Sequence, residues 1–276
     1  MGQGLPNFDK PPLFEVALAV QFQPLENFKS AHLGLLWERY RDEFPLIEEH
    51  CLLEPQFERF GIRRTSTVPF KLEMMDRPPT PRCWFVKENG SQLIQVQRDR
   101  FIHNWRKRGE EANYPRYEAI RDLFEKELVE FASFVAEESL GPLEFNQCEI
   151  TYVNEIEPNS VWCEHSQLNR ILTVFSDDSG EQELPKLENA NLRVRFLLEG
   201  DDGKPIGRLH VNVEPRHRAD SGKPIYFMTL TARGAPKTSD VNGLMHFLDY
   251  GRQVVVKSFA SLTSKEMHGT WEGPHD

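Results

Sequence analysis

The densest run of residues able to do chemistry is Gln95-Val96-Gln97-Arg98-Asp99-Arg100-Phe101-Ile102-His103-Asn104-Trp105-Arg106-Lys107-Arg108. A guanidinium is a planar fork of donors that suits a carboxylate or a phosphate, and an indole offers a face for stacking. A strand period of two sets Gln95, Gln97, Asp99, Phe101, His103 and Trp105 on one side and Arg98, Arg100, Asn104 and Arg106 on the other. The candidate ligand- or partner-binding residues are therefore Arg98, Asp99, Arg100, His103, Asn104, Trp105 and Arg106. The competing reading is structural: Arg98 and Arg100 pair with acidic neighbours on a solvated face, where ion pairs are common and weak, while Phe101 and Trp105 are core.

A second polar row, His210, Asn212 and Glu214, alternates with the apolar Leu209, Val211 and Val213. Such a row could set a general base beside an orienting carboxylate. Same-face neighbours on a strand are about 6.6 Å apart, so His210 cannot touch Glu214 and cross-strand neighbours would have to complete a site. A solvent-facing polar strand face produces the same pattern without chemistry. The Cys/His proximities, His50-Cys51 and Cys163-x-His165, fit no closed zinc spacing, so no metal site is expected. Nucleophile elbows, phosphate-binding glycine loops, dinucleotide fingerprints and His-Glu-x-x-His are all missing from the chain. No cofactor is expected, and no known enzyme class is indicated.

These residues belong to a chain of 276 residues, 39% hydrophobic and 28% charged, long enough for a sizeable core. The reading is one α+β domain over 1–276, with two halves near 1–158 and 159–276 as the alternative. Thirty-three Lys and Arg against 43 Asp and Glu give a net charge of -10, which opposes nucleic acid at long range and leaves only local binding open. No apolar run approaches the roughly 20 residues that cross a bilayer, and the first ten residues lack the apolar core of a signal peptide. The expected location is the cytoplasm, with the four separated cysteines reduced.

Alternation predicts a first strand over Leu13 to Phe22, and Leu33, Leu36, Trp37, Tyr40 and Phe44 trace a helix ending near Pro45. Prolines interrupt 50–82, which reads as a long surface excursion. Asn89-Gly90 predicts a type I′ hairpin between Cys83–Lys87 and a strand from Gln92 to about Phe101. Pro115 is placed at the first position of a helix running to Ser139, followed by a strand over Phe145 to Ile156 and an acidic loop around Ser176 to Glu183. Three strands near 192–198, 209–213 and 225–232 form a meander. A last helix follows Thr238-Ser239-Asp240, and a Thr263-x-x-Glu266 capping box opens a final turn. The order predicts a largely antiparallel mixed sheet with long amphipathic helices packed on one face and a partly polar opposite face. The last helix and Trp271 could bury against the body or mediate homo-oligomerisation.

Three stretches together, Pro11-Pro12-Leu13 with Glu15-Val16, Gln97-x-Asp99-Arg100-Phe101-x-x-Asn104-Trp105-Arg106, and Phe259-x-x-Leu262-Thr263 with His268 and Trp271, resemble a sporadically distributed, uncharacterised prokaryotic protein family of about this length. The resemblance implies a bacterial or archaeal cytosolic protein and carries no reaction, cofactor or residue role. Its patchy distribution is associated with accessory loci, defence or toxin-antitoxin-like. The first expectation is thus a non-enzymatic protein that holds a protein partner through the exposed sheet face and the Arg98–Arg108 segment. The second is a small anionic-ligand-binding or hydrolase-like protein with a pocket between sheet and helices, using His103 or His210 as acid/base; the third is local nucleic-acid binding.

Overall fold

The computed structural model describes residues 4–61, 80–109, 113–176 and 185–275. The elements in chain order are β1 (Leu13–Phe22), α1 (Ser30–Tyr40), β2 (Leu46–His50), β3 (Arg82–Val86), β4 (Gln92–Gln97), β5 (Arg100–Arg106), α2 (Tyr117–Glu137) and β6 (Phe145–Ile156). A short helix α3 (Leu168–Ile171), β7 (Leu192–Glu199), β8 (Pro205–His217), β9 (Pro224–Gly234), α4 (Val241–Leu262) and α5 (Lys265–Thr270) complete them. The strands form one nine-stranded sheet in the order β2-β3-β4-β5-β1-β6-β9-β8-β7, and every adjacent pair is antiparallel. The fold is α+β.

Alternation assigns the faces. Val16, Leu18 and Val20 of β1 share a face with Phe101, His103 and Trp105 of β5 and with Cys148, Ile150 and Tyr152 of β6. That face is the floor of the core, and α1, α2 and α4 pack on it. Phe131 of α2 meets Phe101 and Phe22, and Tyr40 of α1 meets Phe85 of β3. Gly251 lets α4 lie close: a Cβ there would sit 2.7 Å from Ile150 Cγ2. Asp240 caps α4, accepting from the Gly243 amide at 2.7 Å.

Several local expectations change. The β3–β4 connection is not a type I′ turn: Gly90 takes positive φ but Asn89 does not. Lys87 O accepts from Gly90 N and the loop closes as Lys87 N→Gln92 O, a longer connection with glycine at its left-handed position. The segment 92–101 is not one strand, because Arg98-Asp99 is a tight turn between β4 and β5. This turn inverts the parity read from the sequence: Gln95 and Gln97 share the face of Arg100, Asn104 and Arg106, opposite Phe101, His103 and Trp105. Helix α2 begins two residues after Pro115, because Arg116 takes φ 72, ψ 160. Ser264, not Thr263, caps α5, and Thr263 Oγ1 bonds Phe259 O at 2.7 Å. Of the predicted excursion and acidic loop, 62–79 and 177–184 lie outside the described residues.

One ionisable pair sits inside the apolar floor. His103 is fully buried, and its Nδ1 lies 2.7 Å from Glu127 Oε2 on α2; His103 Nε2 and Glu127 Oε1 have no partner among the described residues. Removing one member strands the other in a low-dielectric core, whereas removing both leaves only packing to mend. In urea denaturation, Glu127→Leu alone should cost about 3–5 kcal/mol, and His103→Leu with Glu127→Leu together should cost less than either single change. Additive losses would show the two residues to be energetically independent.

Candidate functional site

Helix α4 packs on β6 and β9 and touches α2, which begins at Tyr117. A cleft of about 590 Å³, partly open to solvent, lies there between sheet and helices. Its apolar walls come from Phe8 and Leu13, from Leu230 of β9, and from Val255, Val256 and Phe259 of α4. Tyr114, Tyr152, Asn154 and Arg252 bring polar groups into it. Tyr114 and Tyr152 join hydroxyls at 3.0 Å, and Asn154 Nδ2 donates to Met228 O at 3.2 Å. Arg252 lies over the Tyr117 ring, is 3.7 Å from Glu118 Oε1, and has a buried Nε without a hydrogen-bond partner among the described residues.

Burial holds both phenols far on the protonated side, with the neighbouring hydroxyl adding to the effect at Tyr114 and the Tyr114 hydrogen bond and Arg252 opposing it at Tyr152. They are hydrogen-bonding groups, not bases. The described lining contains no serine, cysteine, histidine or carboxylate. This is a lining for holding a molecule with an apolar body and an acceptor or anionic end.

The rim is fixed by long-range ties. Arg116 Nη1 donates to Asn7 Oδ1 at 2.7 Å and to Phe8 O at 3.3 Å, so the N-terminal segment is fastened to the start of α2. A non-glycine residue in that conformation is strained by about 1–3 kcal/mol, and such outliers concentrate where a site over-determines the backbone. Phe8 packs edge-on against Phe259 at 5.6 Å, and Trp271, buried and not free to dock elsewhere, closes on Phe259 at 5.1 Å. Trp105 stands behind Tyr114 at 5.3 Å.

Among the candidate site residues, Trp105 packs against the cleft wall behind Tyr114 without lining the cleft itself. The other expected site residues are dispersed. His103 is in the core pair described above, outside the cleft. Arg98 is exposed in the β4–β5 turn, while Asp99 is buried there and accepts from Gln97 Nε2 at 2.5 Å. Asn104 belongs to a relay on the polar face: Arg82 Nη1→Gln95 Oε1, Gln95 Nε2→Asn104 Oδ1 and Asn104 Nδ2→Glu15 Oε1. Arg106 lies over Trp84 at 5.5 Å, with burial lowering its pKa. The arginines therefore make no common clamp. Asn212 and Arg216 both donate to Glu214 at the exposed end of β8.

His210 and Arg100 are covered by a strap the sequence did not reveal. Residues 51–61 run across the polar face, and side-chain amides take the place of a strand ladder. Gln97 exchanges two bonds with the Leu53 backbone, Gln21 Oε1 accepts from Gln56 N, and Gln147 Oε1 accepts from Glu58 N. Arg100 Nη2 donates to Gln21 Oε1 at 2.7 Å and to Glu54 O at 3.1 Å. Glu58, with a side chain 3% exposed, pairs with Arg208 and lies 2.6 Å from His210 Nε2. His210 thus meets a carboxylate from the strap, not Glu214 on its own strand.

Burial by itself would raise the Glu58 carboxyl, but hydrogen bonds from His210 and Arg208 overcome it and hold the pKa at about 2. A depressed carboxylate contributes stability above its unfolded value, which is lost as pH falls towards the folded one. Acid titration of thermal stability should show this loss between about pH 4.5 and 2. Glu58→Gln should be less stable at neutral pH and lose less on going to acid. An unchanged acid limb in Glu58→Gln would contradict the assignment.

Among the described residues no group of His, Cys, Asp and Glu is arranged to hold a metal ion, and no helix is long and apolar enough to cross a membrane. Compared with family models, curated proteins and solved structures, the chain matches none, so its function is read from the chemistry of these residues alone.

Proposed function

We propose that this protein binds a small amphipathic molecule, an apolar body ending in an anionic or hydrogen-bond-accepting group, in the cleft between α4, β6 and the N-terminal segment. The observation that carries this reading is the convergence of Arg252, Tyr114 and Tyr152, together with Asn154 and Arg116, on a cavity with apolar side walls. A partly buried guanidinium whose buried Nε has no partner among the described residues favours an acceptor from the ligand, since an unmade charged hydrogen bond is costly. Two protonated phenols add donors, and Phe259, Val255 and Leu230 supply the apolar contact. The reading is binding rather than turnover, because the lining offers no nucleophile beside a base.

A protein partner is the second reading, supported by the sheet's open edges: Leu46 and Ile47 on β2 and Phe196 and Leu197 on β7 are large, apolar and exposed. It uses different residues from the cleft, so one set of variants separates the two.

Octanoate, competing against the fluorescent probe anilinonaphthalene sulfonate, provides the test. Binding should be saturable in the native chain and weakened by tenfold or more in Arg252→Met, the range expected for one charged hydrogen bond. It should be abolished in Val256→Trp, which fills the cleft, and be unaffected in Leu197→Lys on β7. Equal affinity in the native, Arg252→Met and Val256→Trp chains would remove the cleft from consideration. A stoichiometric co-purifying protein lost only in Leu197→Lys would favour the second reading.

A further inference from the structure

Beneath the strap the polar face holds a second hollow of about 370 Å³, also partly open to solvent, floored by Ala19 and walled by Gln21, Gln56, Arg100, Glu149 and Arg233. We propose that it is a site for a phosphoryl-type oxyanion, as free phosphate or as the end of a phosphate monoester, held between Arg100 and Arg233.

The register explains the geometry. Across β5, β1, β6 and β9 one row reads Ile102, Ala19, Glu149, Arg233, and the next begins Arg100, Gln21, Gln147. Arg100 and Arg233 therefore start three strand spacings apart across the sheet, about 14 Å at about 4.8 Å per step, and extend over β1 and β6, where Ala19 leaves space between Gln21 and Glu149. The small side chain leaves the hollow, and long side chains from either flank reach into it. Each arginine lies within range of the other's charge, the arrangement that an anion between them relieves.

The ion pairing points the same way. Arg100, Arg208 and Arg233 face the carboxylates of Glu58, Asp99 and Glu149. Glu58 is taken by Arg208 and His210, and Glu149 Oε2 accepts from Arg233 Nε at 2.5 Å. Arg100 makes no ion pair with any described carboxylate; its guanidinium leans on neutral acceptors, Gln21 Oε1 and Glu54 O. Asp99 and Glu149 act on Arg100 through space, so this partly buried guanidinium has no direct ionic partner among the described residues. Retaining it costs desolvation that an anion would offset. Arg100 Nε and Nη1, Arg233 Nη2 and the Gln56 side-chain amide are without hydrogen-bond partners among the described residues, and they supply the donors a tetrahedral oxyanion needs.

Isothermal titration of the full chain with inorganic phosphate, and separately with phenyl phosphate, at constant ionic strength tests the site. The expected result is one saturable site per chain, weakened at least tenfold in Arg100→Gln and in Arg233→Gln and unchanged in Arg216→Gln, which alters the distant end of β8. Arg100→Lys, which retains the charge without the planar fork, should fall between native and Arg100→Gln, and it carries the test if Arg100→Gln fails to fold. Binding of phosphate alone would identify the free ion as the ligand, whereas binding of both would identify a monoester head. The absence of saturable heat with either compound, or undiminished affinity in folded Arg100→Lys and Arg233→Gln, would overturn the proposal.

Discussion

A nine-stranded antiparallel sheet presents two faces to water, and the long helices of this chain cover one of them. Most of the architecture follows from how the other is dealt with. On the helix side the strands contribute Val, Leu, Ile and Phe in alternation, and burial of that apolar surface is the main stabilising term. On the opposite side the alternation delivers glutamines, asparagines and arginines near the middle of a wide sheet, where their polar atoms are partly withdrawn from water. They are satisfied by bonding to one another across strands, as in the Arg82-Gln95-Asn104-Glu15 relay, and by taking the backbone of residues 51–61 as partner. Glu58 anchors that strap with a paired carboxylate on the β8 side of the sheet.

The cleft arises from the same geometry on the other face. Helix α4 is pressed close to β6 where Gly251 permits, and the cleft opens further along it at Val255, Val256 and Phe259. The N-terminal segment, held by Arg116 and by Phe8 against Phe259, walls that space without filling it. Apolar packing makes the enclosure, and Tyr114, Tyr152 and Arg252 give it polarity.

Much of the fold was legible because its elements carry strong periods. The strand over Phe145–Ile156, the meander of β7, β8 and β9, and the two long helices α2 and α4 stand close to where alternation and helical spacing place them. The Arg98-Asp99 turn was not legible, since a lone Asp without glycine or proline beside it is a weak turn signal, and missing it transposed the two faces of the Gln95–Arg106 run. The strap was hidden for a different reason: it has no periodicity of its own and is held by side chains from β1, β4 and β6. The cleft polar groups are isolated in sequence, Tyr114 and Arg116 before one helix, Tyr152 on a strand and Arg252 inside another helix. Density of charge drew attention to Arg98–Arg108, whereas convergence in space is what makes a site. Pro11-Pro12 and Trp105 were the available hints, being respectively beside and behind the cleft wall.

The most direct test of ligand binding between sheet and helices is methyl-resolved NMR of the full chain titrated with octanoate. Shifts that saturate together and are confined to the methyls of Leu13, Leu230, Val255 and Val256 are the predicted result. Shifts absent from those methyls, or spread over the exposed β2 and β7 edges at Leu46, Ile47 and Leu197, would contradict it.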